Sequence, residues 1–336
     1  MNTTPSSTPH PTSTTSSDST TSSDSPAPER EQPQLDATRR VRGAGQRALV
    51  LGGGGSTGNA WLIGVIAGLF DAGLDVTGAD LVIGTSAGST AAAQIAGASP
   101  TELLTAIFAA APLQRTAPPG SDNGRARTGH VADQLERTAR FIAAAVDAAD
   151  MRRRMGAAAL GMETASDDSV QKRWRATVAA RLPVQLWPQQ TVLITAVDAL
   201  NGEPVVFDRQ SGVDLADAVA ASCASGFPYR IGDRHYIDGG YRRNENADLA
   251  AGYARVLVLS PFGGRTRTPL DWGMHLAAQL DELRAGGSEV ETIFPDSDSE
   301  HMFGANAMDL SLRPPAARAG YEQGRALAGR LTEFWC

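Results

Sequence analysis

Short apolar runs that end in glycine alternate along this chain with longer stretches whose apolar residues recur at helical spacing. The first run, Arg47-Ala48-Leu49-Val50-Leu51, predicts a buried parallel strand and empties into Gly52-Gly53-Gly54-Gly55-Ser56-Thr57-Gly58. Leu62, Val65, Ile66, Leu69 and Phe70 then mark one side of a helix that Gly73 is expected to end. A second run, Leu81-Val82-Ile83, leads into Gly84-Thr85-Ser86-Ala87-Gly88, and a small-residue helix is expected over 87–96. Ser99-Pro100-Thr101-Glu102 reads as a capping box opening a helix to about Ala111. Residues 118–124 read as a loop, 130–162 as one helix with Phe141, Ile142, Ala145 and Val146 on its buried face, and 169–180 as another. Further strands are expected at 191–197, at 204–207 after the Asn201-Gly202 turn, at 235–238, at 255–259 and at 289–294. Helices are expected at 215–222, at 270–283 and from Pro314 to about Phe334. Strands alternating with helices place the chain in the α/β class. No internal repeat is visible.

Composition changes this picture at the N-terminus. The first forty or so residues are Ser, Thr, Pro and Asp with almost no aliphatic side chains, so residues 1–45 are expected to be a disordered tail and 46–336 the folded domain. The tail lacks the basic and apolar regions of a secretory signal. Cys223 and Cys336 make no disulfide framework, and a reducing cytoplasm is the default location. The longest apolar stretch, 60–70, is too short to span a membrane. A net charge of −7 argues against a nucleic-acid partner and against a general pull toward anionic membranes. Arg152-Arg153-Arg154 reads as a solvated face, with transient contact to phospholipid headgroups as the alternative. No spacing of His, Cys, Asp or Glu suggests a metal site, and no cofactor is expected.

The chemistry concentrates in two turns. In Gly84-x-Ser86-x-Gly88, between a strand and a helix, the two glycines leave room for a sharp bend that projects the Ser86 hydroxyl. The Ala87 amide points into the same space at a helix N-terminus. Gly52 to Gly55 expose backbone N–H groups at another helix N-terminus, an arrangement suited to anions. Gly53-x-Gly55-x-x-Gly58 matches a dinucleotide fingerprint, but the next strand ends in the serine turn instead of an acidic residue for a ribose. A glycine loop and a serine elbow on successive strands suit acyl transfer, with loop amides as oxyanion donors. A third motif, Asp238-Gly239-Gly240, ends a short strand.

These three motifs, in this order, resemble the patatin-like phospholipase family over residues 48–259. The resemblance implies a three-layer α/β sandwich around a mainly parallel central sheet, and a lipid acyl hydrolase working on lipid or small ester substrates. It implies Ser86 as nucleophile and Asp238 as its base, without histidine. It also implies an oxyanion hole from the amides of Gly53, Gly54 and Gly55. One departure stands out: the family often places Arg or Lys where this chain has Thr57. Such a base is chemically workable, because burial without a cationic partner raises a carboxylate pKa toward the range a general base needs. The competing arrangement is a Ser-His-Asp triad, for which Ser86, Asp238 and either His275 or His301 have the right chain order. A third reading is a non-catalytic lipid-binding protein of the same fold.

Overall fold

The computed structural model describes residues 36–37, 45–110, 123–165 and 167–336, the side chains of 123–133 and 164 excepted. Its strands are β1 (Gly45–Leu51), β2 (Leu81–Gly84), β3 (Thr191–Asp198), β4 (Pro204–Phe207), β5 (Tyr229–Ile231), β6 (Arg234–Asp238), β7 (Tyr253–Leu259) and β8 (Glu289–Ile293). They make one sheet in the order β5-β6-β3-β2-β1-β7-β8, with β4 also paired to β3. The centre, β3-β2-β1-β7-β8, is parallel, and β4, β5 and β6 add antiparallel pairs at one side. Register sets the site. Leu51 lies beside Gly84 and beside Leu259, so the turns after β1, β2 and β7 open at the same edge of the sheet. Ligand sites of open parallel sheets form at that carboxyl edge.

The helices are α1 (Gly55–Asp71), α2 (Ala87–Ile95), α3 (Pro100–Ala109), α4 (Asn123–Ala144), α5 (Ala148–Leu160), α6 (Asp168–Ala179), α7 (Leu215–Ser222), α8 (Leu276–Ala285) and α9 (Arg313–Trp335). Alternate residues of β1 point to opposite cores. Leu49 and Leu51 pack with residues of α1, α2, α7 and α9, and Ala48 and Val50 pack with Ala247, Ala250, Leu280 and Leu283. Both faces of the strand are covered, which is why it reads as a continuous apolar run. The result is the expected three-layer α/β sandwich on a mainly parallel sheet.

Local expectations hold where local chemistry decides. Ser99 and Glu102 form the reciprocal capping box of α3. Elsewhere longer-range packing wins. Helix α1 is buried on every side from Thr57 to Leu69, because α9 covers the face turned away from the sheet. The single helix expected over 130–162 is two, α4 and α5, and Asp147 caps the second by accepting the Asp150 amide at 2.7 Å. The helix expected from Leu270 begins only at Leu276, after Gly273 turns the chain at φ +63°. Strand β5 lay outside the sequence expectations; it exists by pairing with β6.

Within the segment expected to be a tail, Ala37 is buried and donates its N–H to the Val206 carbonyl at 2.7 Å, and Asp36 accepts the Val206 amide at 3.3 Å. Residues 1–35 and 38–44, and the 118–122 part of the expected loop, lie outside the described residues. Among the described residues no helix is long and apolar enough to cross a membrane.

Candidate active site

Ser86 occupies the bend between β2 and α2 with φ +52° and ψ −115°, a positive-φ conformation outside the left-handed helical basin that a non-glycine residue adopts only when its surroundings impose it. The surroundings are close. A Cβ on Gly88 would lie 1.9 Å from the Leu51 carbonyl oxygen, and one on Gly84 would lie 2.6 Å from Ser89 Cα. Only glycine fits at either position, and the elbow is thereby wedged against the end of β1. The Ser86 amide donates to Ser222 Oγ at 2.9 Å, while the Ser86 carbonyl accepts from Ser89 Oγ at 2.6 Å and Cys223 Sγ at 3.1 Å. The backbone of the bend is satisfied, and the hydroxyl is left for other work.

That hydroxyl donates to Asp238 Oδ2 at 2.8 Å. Asp238 ends β6, which pairs antiparallel with β3 so that Asp238 lies opposite Ala196. The carboxyl is buried, with 7% of its surface exposed, and burial pushes its pKa up to about 6 despite hydrogen bonds from Gly240 N and Ser86 that pull it down. No cation pairs with it among the described residues. Gly239 is needed by proximity: a Cβ there would sit 2.3 Å from Thr195 Oγ1 on β3. Gly240 sends its amide to the second carboxylate oxygen, Oδ1, at 2.8 Å. One oxygen of Asp238 is therefore anchored and the other faces serine.

The glycine loop lies across from this pair, a Cβ on Gly53 falling 3.6 Å from Ser86 Cβ. Here the structure corrects the expected set of oxyanion donors. The Gly53 amide already donates to the Asn244 carbonyl at 3.0 Å, so Gly53 is not a free donor. Among the described residues the amides of Gly54, Gly55 and Ala87 are bonded to no protein acceptor. Gly55 and Ala87 each open a helix, α1 and α2, so the partial positive charge of two helix N-termini adds to their N–H groups. Gly58 closes the loop by donating to the Gly54 carbonyl at 3.0 Å. Thr57 is buried and held by Ala307, its amide donating to the Ala307 carbonyl at 3.0 Å and its Oγ1 to the same oxygen at 3.4 Å.

The histidines sit elsewhere. His235 Nε2 is 3.2 Å from the Ala165 carbonyl, and His301 Nδ1 is 2.9 Å from the Asp298 carbonyl. His275 precedes α8 with a buried Nδ1 that has no partner among the described residues. The side chain of His130 lies outside the described residues. None of the three described imidazoles bonds to Ser86 or Asp238. Among the described residues no cluster of His, Cys, Asp or Glu is arranged to hold a metal ion.

A family model for patatin-like phospholipases matches residues 49–251. The chain belongs to the patatin-like phospholipase family. Hydrolysis of lipid acyl esters is that family's general activity. Among solved structures, VipD from Legionella pneumophila aligns at 14% identity with a TM-score of 0.40, covering 85% of this chain and 67% of that one. The type III effector protein ExoU aligns at 17% identity with a TM-score of 0.39, covering 87% of this chain and 54% of that one. No curated protein matches the chain at a significant level.

The patatin-like motifs are bound together by residues the sequence did not single out. Asn246 is fully buried in a left-handed conformation at φ +55°, which asparagine tolerates better than most residues. Its Nδ2 lies within bonding distance of Thr85 Oγ1 (2.9 Å), Thr195 Oγ1 (3.2 Å), the Gly239 carbonyl (3.3 Å) and the Arg243 carbonyl (2.7 Å). One amide thus joins the elbow, β3 and the Asp238 turn. Cys223, just behind Ser86, has its thiol pushed up to about pKa 11 by burial and then by the nearby Asp238 charge. It is a neutral donor, not a rival nucleophile. The sequence carried one signal for this shell: polar Asn244-Glu245-Asn246 soon after Asp-Gly-Gly, where solvated loop residues would serve equally well.

Proposed function

We propose that this chain is a serine hydrolase of lipid carboxylic esters in which Ser86 and Asp238 act as a two-residue catalytic unit. The observation that carries this reading is the 2.8 Å hydrogen bond from Ser86 Oγ to a buried carboxylate with no imidazole between them. A serine hydroxyl needs a base to take its proton as it attacks. A carboxylate raised to about pKa 6 is ionised at neutral pH and basic enough to do so.

In the proposed sequence Ser86 Oγ attacks the ester carbonyl carbon while Asp238 accepts its proton. Negative charge develops on the carbonyl oxygen and meets the amides of Gly54, Gly55 and Ala87. Asp238 returns the proton to the departing alcohol, which leaves an acyl group on Ser86. Water, losing its proton to Asp238, then attacks the acyl carbon, and Ser86 is released with its hydroxyl restored. The strained Ser86 backbone supports this assignment, because such conformations persist where the surrounding structure fixes a side chain for use.

The deciding experiment is hydrolysis of a panel of p-nitrophenyl esters and phospholipids by wild type and Ser86→Ala, with fluorophosphonate labelling beside it. Wild type is expected to turn over esters and to label at Ser86, and Ser86→Ala to lose roughly 10⁴-fold or more in kcat. Turnover by Ser86→Ala at the wild-type rate, or no labelling of a wild type that hydrolyses esters, would remove the reading.

A further inference from the structure

Glu245 is a buried carboxyl that the proposed reaction does not use. It is 1% exposed, and burial raises its pKa against the hydrogen bonds that lower it. Among the described residues no cation pairs with it: the arginines of the same turn, Arg242 and Arg243, pair with Asp248 and Glu282. Taking a carboxyl out of water is costly, and an apolar side chain of similar volume would fill such a position at less cost. What the carboxyl supplies there is an acceptor.

One oxygen, Oε1, holds two donors from different segments. Asn244 Nδ2 donates to it at 2.9 Å and Ser260 Oγ at 2.7 Å. Both donors support the glycine loop. Asn244 Nδ2 gives its other proton to the Gly53 carbonyl at 3.2 Å. With both protons committed the Asn244 amide has one orientation, and its Oδ1 lies 2.7 Å from where a Cβ on Gly53 would be. A flipped amide would set Oδ1 against two acceptors, the Gly53 carbonyl and Glu245 Oε1.

Ser260 follows β7 and is itself pinned, its Oγ accepting the Gly264 amide at 2.9 Å. The next residue, Pro261, packs on the loop. A Cβ on Gly54 would lie 2.5 Å from Pro261 Cβ, and one on Gly58 would lie 3.1 Å from it. Glu245 also meets the start of the loop directly, its Cγ 3.3 Å from the Cβ position of Gly52. One carboxyl therefore fastens the turns after β1, β6 and β7 to one another. The Gly54 and Gly55 amides have no protein acceptor among the described residues, so no bond of their own aims them. Their direction depends on what grips Gly53 and what backs Gly54.

We infer that Glu245 is a positioning residue for the glycine loop, holding the Gly54 and Gly55 amides in donor geometry through Asn244 on one side and Ser260 and Pro261 on the other. Its effect on rate rests on the hydrolase reading of Ser86, whereas its hold on the loop does not.

Full-chain variants separate positioning from support of the fold. Glu245→Met fills the volume without an acceptor, Glu245→Gln keeps an acceptor oxygen, and Ser260→Ala removes one of the two donors. In Glu245→Met, kcat for a p-nitrophenyl ester should fall about tenfold or more with KM little changed, while the melting temperature stays within a few degrees of wild type. A lipid-like trifluoromethyl ketone gives a second readout. Ser86 Oγ adds to its carbonyl carbon, the serine proton passes to Asp238, and the carbonyl oxygen becomes an oxyanion. Affinity for this ketone should weaken by the same factor as kcat, and affinity for the non-reacting ether analogue should not change. Glu245→Gln should restore most of both losses. Ser260→Ala should lose in the same direction by a smaller factor, and it carries the test if Glu245→Met fails to fold. Amide hydrogen exchange, followed by NMR, reads the loop without turnover. Exchange at Gly52 and Gly53 should quicken about tenfold in Glu245→Met, and exchange at Leu193 and Ile194 on β3 should keep its rate. If wild type hydrolysed no ester, the hydrolase reading would fall and exchange alone would decide whether Glu245 holds the loop. A folded Glu245→Met, or failing that Ser260→Ala, with wild-type kcat would overturn the inference. So would equal losses of ketone and ether affinity, a Gln variant as impaired as the Met variant, or exchange that quickens equally in the loop and in β3.

Discussion

Gly53 and Asn244 hold each other twice: the Gly53 amide donates to the Asn244 carbonyl at 3.0 Å, and Asn244 Nδ2 returns to the Gly53 carbonyl at 3.2 Å. Asn244 is braced in turn by Glu245, a buried carboxyl that also accepts from Ser260 Oγ at 2.7 Å and whose pKa burial raises. The glycine loop and the turn after Asp238 are therefore fastened to each other. Donors fixed before the reaction cost nothing to orient during it.

A first prediction follows for the residue beyond that clasp. A Cβ on Gly54 would lie 2.5 Å from Pro261 Cβ and 2.9 Å from Gly58 Cα, so Gly54→Ala must shift the loop. The expected loss is on the order of 10²-fold in kcat with a smaller change in KM, because the displaced amides are those proposed to meet the developing oxyanion. Gly78→Ala is the control, since a Cβ there meets nothing within 4 Å. Steady-state kinetics of both variants check it, and equal kcat values would exclude Gly54 from the donors.

Protonation of Asp238 should govern the acid limb of the pH profile. Its proton-accepting form is the carboxylate, so kcat/KM should be level above about pH 6 and fall about tenfold per unit below it. Stability runs the other way. The folded pKa is raised above the ordinary 3.8, so the folded state holds this proton more tightly, and stability is lost as pH rises from about 4 through about 6. Asp238→Asn should abolish turnover yet raise Tm at pH 7, with the gain vanishing near pH 4. Thermal melts at the two pH values read this directly, and a lower Tm at pH 7 would contradict it.

Histidine separates the two-residue unit from a triad. His235→Ala, His275→Ala and His301→Ala should each keep most of the wild-type kcat, since none of these rings bonds to Ser86 or Asp238. His130→Ala belongs in the same panel. In a triad the imidazole performs the proton transfer, so its loss would match that of Ser86→Ala. A folded histidine variant inactive to that degree would identify the base and displace Asp238 from the role.

Truncation tests the N-terminal boundary. Removing residues 1–32 should leave Tm nearly unchanged, because their composition buries little apolar surface. Removing 1–44 also removes Asp36 and Ala37, which satisfy the amide and carbonyl of Val206 on β4. That deletion should lower Tm by several degrees while ester hydrolysis persists. Identical melting of the two truncations would show that the β4 contact contributes nothing.

The sequence alone determined the strands and helices whose signals are local. Arg47–Leu51 and Thr191–Val197 are runs too apolar for any surface, Ser99 and Glu102 cap their helix reciprocally, and Gly84 and Gly88 leave room for nothing but a tight bend. Ser86 and the glycine loop were legible for the same reason, since each lies in a turn that tolerates few residue types, whereas Asp238 stood out only through the resemblance carried by the three motifs together. What only the tertiary structure decided is which polar groups are already spent. Gly53 loses its place among the donors to Asn244, a residue 191 positions away in the chain. Asn246 became the knot of the site through Thr85 and Thr195, and Arg313 came beside Ser56 across 257 positions. Hydrogen-bond capacity is used up pair by pair in three dimensions, and a polar residue in a sequence carries no mark of whether its partner will be water, substrate or a distant backbone.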